Sequence, residues 1–269
     1  MSDRSDIVVA IPARDEQDSI AATLRGIYAS VQAAGRRGLV RRLAVEVTAH
    51  RCADDTADRA RGFLVRRRGQ VTVDDVSTSI GAIRDGAVRR GIDRIAGDPG
   101  RCWVLSTDAD TLVGRDWVTQ ILRRAEAQQA TVVVGTTDLD RWHGSAPGRE
   151  AYERIVAAGL RDLGPNHQHD HVYGANLAVR ADVYLEVGGF PHVVHGEDQL
   201  LVDRLAQAGH RLLRTRDVSV TTSGRLVGRA PDGLADLLHD LDERHAAPAG
   251  HPEVCQACGA GSHASGHAC

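Results

Sequence analysis

Lysine is missing from all 269 residues, so the 33 basic side chains are arginines. That absence excludes a Schiff-base lysine and the GxxxxGK[ST] phosphate loop. A basic excess is also lacking, because 36 acidic residues bring the net charge to −3. A dedicated nucleic-acid binder usually carries a basic stripe, so no nucleic-acid partner is expected. Aromatic residues make up only 3% of the chain, and Val, Leu, Ile and Ala must therefore fill the core. No apolar run approaches the ~18 residues of a membrane-spanning helix. The polar start, Met1 to Asp6, shows no secretory leader. Five cysteines are an odd number; without a leader they point to a reducing, cytoplasmic setting.

What remains is ordinary globular composition, 42% hydrophobic and 26% charged. A chain of this length buries about three quarters of its unfolded surface, enough for a core without staples. Short apolar runs at 7–11, 43–49, 71–73, 102–106 and 131–135 read as strands, the first closed by Pro12. Between them, apolar residues recur at helical spacing. Ile20, Leu24, Ile27 and Val31 predict a helix that Gly35 stops, and further helices are expected over 56–66, 80–96 and from Trp117 to Ala125. This βαβα rhythm implies a mostly parallel sheet with helices on both faces. The second half is less regular: a helix over 149–162, a polar loop over 164–171, a strand over 173–179, helices over 181–187 and 199–208, a strand over 212–221 and a helix over 234–241. From about residue 246 the composition shifts to Ala, Gly, His, Pro and Cys and reads as a flexible tail.

Ligands of open parallel sheets bind beyond the carboxyl ends of the strands, and here that rim is acidic. Strand one ends in Pro12-Ala13-Arg14-Asp15-Glu16, strand two in His50-Arg51-Cys52-Ala53-Asp54-Asp55, and strand four in Asp108-Ala109-Asp110-Thr111. In an extended segment Asp108 and Asp110 share a side. Two hard oxygen ligands suit Mg²⁺ or Mn²⁺, although a single Asp-x-Asp also reads as turn chemistry. Gly174-Ala175-Asn176 reads either as a sugar-pocket wall or as a strand bend. The stretch VLSTDADTLV also fits the DxDx[TV] signature of haloacid-dehalogenase-type phosphatases, whose first Asp is a nucleophile. That motif normally follows the first strand, however, and here it lies past residue 100. A catalytically inactive nucleotide-binding protein is a second alternative.

Taken in order, IPARDE, HRCADDT, STDADT, YGANLAVR with VGGF, and GEDQLLVDRL resemble the family-2 glycosyltransferases of the GT-A fold. The likeness runs from about Ile7 to Gly233, and TSGRLVGRAPDG resembles a bacterial, soluble subgroup. The resemblance implies a Rossmann-like single domain over 1–245, with nucleotide binding in about 1–112 and the acceptor in about 113–245. It implies an inverting, hexosyltransferase-type enzyme that takes a sugar from a nucleoside-diphosphate donor. By the same resemblance, Pro12, Ala13, Arg14 and Glu16 wrap the base and ribose. Asp54 bonds the base, Arg84 lies near the diphosphate, and Asp108 and Asp110 hold the metal and ribose. Glu197-Asp198 supplies the catalytic base, with Asp198 favoured by its place in the motif; a helix start also favours such acids without catalysis. Asp15 stands where the family usually has Asn. The QxxRW motif of processive synthases is missing, so transfer of a single sugar to the hydroxyl of a soluble or membrane-surface acceptor is expected. Arg225 and Arg229 follow the last strand and are placed either to meet the diphosphate or to sit solvated on a loop.

Two histidine groups complete the inventory. His167, His169 and His171 alternate in a polar loop and read as acceptor-loop residues or, less simply, as metal ligands. Cys255, Cys258 and Cys269, with His251, His263 and His267, read as tail residues or as zinc ligands.

Overall fold

A computed structural model describes residues 4–229 and 233–245. The Cys/His segment after residue 245, and with it the zinc expectation, lies outside the described residues. Among the described residues eight strands form one sheet: β1 (Ser5–Ala13), β2 (Val40–His50), β3 (Gly69–Asp74), β4 (Cys102–Ser106), β5 (Leu112–Val113), β6 (Val132–Leu139), β7 (Leu177–Arg180) and β8 (Leu212–Thr222). Their order is β3-β2-β1-β4-β7-β6-β8-β5. The half from β3 to β4 is all parallel. β7 runs antiparallel to both β4 and β6, β6 and β8 are parallel, and β5 is antiparallel to β8.

The pleat of β1 shows how sequence builds the layers. Ile7, Val9 and Ile11 point to one face, where they meet α1 (Ile20–Arg36), α2 (Thr56–Leu64) and α4 (Trp117–Gln128). Val8 and Ala10 point to the other, toward α3 (Ile80–Ile95), α6 (Ala181–Glu186) and α7 (Glu197–Gln207). A strand covered on both faces must be apolar at successive positions, which is why 7–11 is a continuous run rather than an alternation. In α1 the buried Ile20, Leu24 and Ile27 fall on one stripe. Burying each such side chain contributes about 1.5–3 kcal/mol. A separate cluster joins α5 (Ala146–Gly159) to α8 (Leu234–His245) through Ala151, Tyr152, Leu238 and Leu241.

Three boundaries differ from the sequence expectation. Pro12 lies inside β1, not after it. It pairs with Thr48 of β2, whereas β4 pairs only as far as Ala10, so no second neighbour needs the missing N–H. Gly35 is helical; α1 runs to Arg36, and Gly38 makes the left-handed turn at φ 72°. The strand expected over 173–179 is split, with Gly174–Asn176 forming a 3₁₀ turn before β7.

Two acids lie in the sheet layer away from the cleft. Asp6, fully buried, accepts paired hydrogen bonds from Arg41 and Arg42. Burial alone would raise its pKa, but the two guanidinium groups bring it down to about 2. Glu46 is equally buried on the α3 face, 2.8 Å from Arg94, and burial pushes its carboxyl up to about 7.

Candidate active site

The carboxyl ends of β1, β2 and β4 open onto a cleft of about 630 Å³, with α7 and the segment after β8 on its other side. Pro12, Ala13, Arg14, Glu16, Arg84, Asp108, Asp110, Glu197, Asp198, Arg225 and Arg229 all line it. Residues scattered from the first loop to the last are therefore brought to one place. Asp54 and Asn176 do not line it.

Arg84 is the centre of the polar network. It is buried on α3, and its Nε donates to Glu197 Oε1 at 2.8 Å. Nη2 donates to Asp108 Oδ1 at 2.6 Å, and Nη1 donates to Ser106 Oγ at 2.8 Å. Burial alone would lower its pKa, but Asp108 and Glu197 outweigh that and hold the guanidinium firmly charged. Gly174 makes this packing possible, since a Cβ there would stand 2.7 Å from Arg84 Nη2. In this structure, then, the residue expected beside the diphosphate clamps the two carboxylate motifs together.

The two acids at the start of α7 are unlike. Glu197 is buried, and burial pushes its carboxyl upward against the pull of Arg84. Asp198 is half-buried; its Oδ2 accepts from the Gly174 N–H at 2.7 Å and its Oδ1 from the Gln199 N–H at 2.8 Å. Gly196 precedes them with φ 75°, a left-handed conformation that a side chain would strain. It turns the chain so that both acids enter the first helical turn. α3 is tied to α6 by Asp85, which accepts from Tyr184 Oη at 2.8 Å, and to the segment before Gly196 by Arg89, whose Nη2 donates to Gly188 O at 2.9 Å.

The Asp108–Asp110 segment is not extended. A turn closes it, with the Thr111 N–H donating to Asp108 O at 3.2 Å. Asp108 turns to Arg84, while Asp110 turns to Arg225, 3.2 Å away, and accepts from Thr222 Oγ1 at 3.3 Å. Burial, and next the Asp108 carboxylate, push the Asp110 carboxyl up to about 6. Glu16 is buried and pairs with both Arg225, at 2.7 Å, and Arg229. The first loop and the loop after β8 are thereby tied together.

Two of the expected residues are held by other partners. Asp54 is not among the residues lining the cleft: its Oδ2 accepts from the Gln17 N–H at 3.0 Å, and its Oδ1 accepts from the backbone and hydroxyl of Thr56. These bonds outweigh burial and lower its pKa. Asp54 braces the first loop against the second, and Asp15, in a left-handed conformation at φ 52°, does the same by accepting from the Ala53 N–H at 2.7 Å. Asp15, Cys52 and Asp54 lie close together, and each of the two carboxylates accepts a backbone N–H from the neighbouring loop. Asn176 is a core residue, with Nδ2 donating to Thr136 O at 2.7 Å and Val218 O at 3.0 Å while Oδ1 accepts from Trp117 Nε1 at 2.9 Å. Its Nδ2 hydrogens are spent on those two carbonyls, whereas Gly174 and Ala175 of the same triplet line the cleft.

The histidine loop is also structural. His169 Nε2 bonds Val134 O at 3.1 Å, His171 Nε2 bonds Val156 O at 3.0 Å, and His167 pairs with Asp170 at 2.8 Å. The cleft takes in His50, Arg51, Tyr173 and His195 as well, which were not singled out as binding residues from sequence. For His50 and Arg51 the available signal was their position at the end of a parallel strand.

No family model matches the chain. A 129-residue stretch is 26% identical to the glucosyl-dolichyl phosphate glucuronosyltransferase of Haloferax volcanii, over 44% of this chain and 41% of that protein. The chain thus matches less than half of the curated relative's length. Among solved structures, S. aureus TarS 1-349 superposes with a TM-score of 0.60 at 13% identity, over 89% of this chain and 71% of that one. The mannosyltransferase PcManGT from Pyrobaculum calidifontis, in complex with GDP-Man and Mn²⁺, does so with a TM-score of 0.60 at 18% identity, over 91% and 71%. The TarS complex with UDP-GlcNAc gives 0.57 at 13%, over 88% and 65%. The chain has the GT-A glycosyltransferase fold. Within that GT-A frame the cleft lies where the parallel half of the sheet gives way to the antiparallel β7, a change of direction of the kind that opens a crevice for ligands in α/β sheets. Among the described residues no helix is long and apolar enough to cross a membrane.

Proposed function

We propose that the chain is a metal-dependent, inverting family-2 glycosyltransferase that moves a single hexose from a nucleoside-diphosphate sugar to a hydroxyl of a soluble or membrane-surface acceptor. The observation that carries this reading is the Asp198 carboxylate, which faces the same cleft as Asp108 and Asp110. The neighbours bound to UDP-GlcNAc and to GDP-Man with Mn²⁺ support a nucleotide-sugar donor and a divalent ion. In this reading, residues up to about 112 hold the nucleotide and those from about 113 to 245 hold the acceptor.

Asp108 and Asp110 fit Mn²⁺ or Mg²⁺. Both are hard oxygen donors at the carboxyl end of β4 that line the cleft, and burial first, with the Asp108 carboxylate next, makes an unpaired negative charge on Asp110 costly, so a cation there would favour the ionised form. When bound, such an ion stabilises charge developing on the leaving diphosphate. Arg225 and Arg229 supply the guanidinium forks for its phosphate oxygens. Asp198 is the base: the acceptor oxygen bonds to the anomeric carbon, the carbon–phosphate-oxygen bond breaks, and the hydroxyl proton passes to Asp198. Attack from the face opposite the nucleotide inverts the anomeric centre. Glu197, buried and bound to Arg84, keeps that base in place and does not take the proton.

The phosphatase alternative needs Asp108 as a free nucleophile, but its Oδ1 is tied to Arg84 in a GT-A fold. The test is a panel of nucleotide sugars with Mn²⁺, read as nucleotide release and sugar transfer. Asp198→Asn is expected to keep nucleotide affinity and lose about 10²–10⁴-fold in turnover, the usual reach of a general base. Turnover that survives this change overturns the base assignment. A chain that binds nucleotide but transfers no sugar from any donor is the inactive alternative.

A further inference from the structure

The base-binding end of the cleft carries a hydrogen-bond pattern of its own. His50 is the last residue of β2 and is half-buried on the cleft wall. Its Nδ1 lies 2.8 Å from the backbone carbonyl of Asp74, at the end of β3. A carbonyl has no proton to give, so Nδ1 carries the hydrogen and donates it. That bond fixes the tautomer and the plane of the ring. With Nδ1 as the donor, Nε2 is the ring nitrogen left to accept.

The neighbouring cleft residues have the opposite character. Arg14 and Arg51 line the same end, and a guanidinium only donates. Pro12 and Ala13 bring no polar side-chain atom. Asp54, the residue expected to read the base, spends its carboxylate on Gln17 and Thr56 instead. Glu16 is taken by Arg225 and Arg229, the Ser79 hydroxyl accepts from the Ala82 N–H, and the Thr78 hydroxyl can donate, which leaves the His50 ring nitrogen as an acceptor with donors beside it. The complementary edge is acceptor–donor–acceptor. Uracil presents it, as two carbonyls flanking the ring N–H. Guanine replaces one carbonyl by an amine, which meets a donor. Adenine and cytosine present a bare ring nitrogen where His50 needs a hydrogen.

We infer that His50 is the base-selecting residue of this cleft and that the base it selects is uracil. The inference rests on the nucleotide-sugar reading above and adds the donor's base to it. A site built to bond a ring N–H rejects a base that lacks one, because a desolvated polar group is then left unpaired.

The test is calorimetry of the full chain with UDP, GDP, ADP and CDP in the presence of Mn²⁺, repeated on His50→Phe and His50→Gln after their folds are checked by thermal melting. UDP is expected to bind about tenfold or more tighter than the other three, as one well-made hydrogen bond allows. His50→Phe is expected to bring UDP down to the level of the rest. His50→Gln, whose Oε1 still accepts, is expected to keep much of the preference. Equal or tighter binding of GDP, ADP or CDP overturns the inference, as does a His50→Phe variant with the preference intact. Either result leaves the glycosyl-transfer reading standing, whereas failure of all four nucleotides to bind overturns both.

Discussion

Arg84 and Glu197 stand 113 residues apart in the chain and 2.8 Å apart in the fold, both buried. The same guanidinium also holds Asp108 at 2.6 Å. One side chain therefore joins the two carboxylate motifs that sequence presented as separate.

Arg84→Met leaves the Glu197 carboxylate buried without a counter-charge. Breaking a buried pair from one side costs about 3–5 kcal/mol, so urea unfolding should show a loss of that order. The double variant Arg84→Met with Glu197→Leu should recover part of it. If the double variant is less stable than Arg84→Met, the pair is not the source of the loss.

Asn176→Ala tests the reassignment of that residue to the core. It leaves two backbone carbonyls and the Trp117 indole N–H without their partner. A loss of about 2–3 kcal/mol is expected. Asn176→Asp should lose more, because a carboxylate cannot donate to carbonyls. Nucleotide affinity of the folded protein should not change; a large drop at unchanged stability would return Asn176 to the binding site.

Arg225→Ala should weaken UDP about tenfold and leave uridine unaffected, because the guanidinium is assigned to phosphate oxygens rather than to the base. A parallel titration with the two ligands decides this. Equal losses for both would place Arg225 elsewhere.

Glu46 gives a pH prediction. Its folded pKa, about 7, lies above the ordinary glutamate value of 4.5. The folded state holds this proton more tightly than the unfolded state, so the contribution is fully present below pH 4.5 and is lost as pH rises through 7. Between pH 5 and pH 8 the wild type should lose about 1–3 kcal/mol through this group, at 1.36 kcal/mol per unit of pKa. In Glu46→Gln that part of the slope should vanish. Thermal melts at the two pH values measure it; identical slopes would show that Glu46 ionises normally.

The parallel half of the sheet was legible because strands covered on both faces leave unbroken apolar runs, such as 7–11 and 102–106. The two-residue β5 carried no such signal, and four-residue β7 merged with the 3₁₀ turn before it. Sequence order located the acids of the cleft but not their partners. The second loop shows why: Asp54 and His50 are four residues apart, and only the backbone decides which faces the cleft. Likewise Asn176 has the functional groups of a sugar ligand, and only its burial between Thr136, Val218 and Trp117 shows where they go.

The hold of Glu16 on Arg225 and Arg229 has an electrostatic consequence. These arginines are already neutralised before any ligand arrives, Arg225 by Asp110 as well. An incoming diphosphate would therefore trade places with carboxylates rather than fall into an open field of positive charge. Such an exchange changes few long-range charges, so donor affinity should depend only weakly on ionic strength. The first loop would then behave as the cleft's resident anion, released when the true one binds.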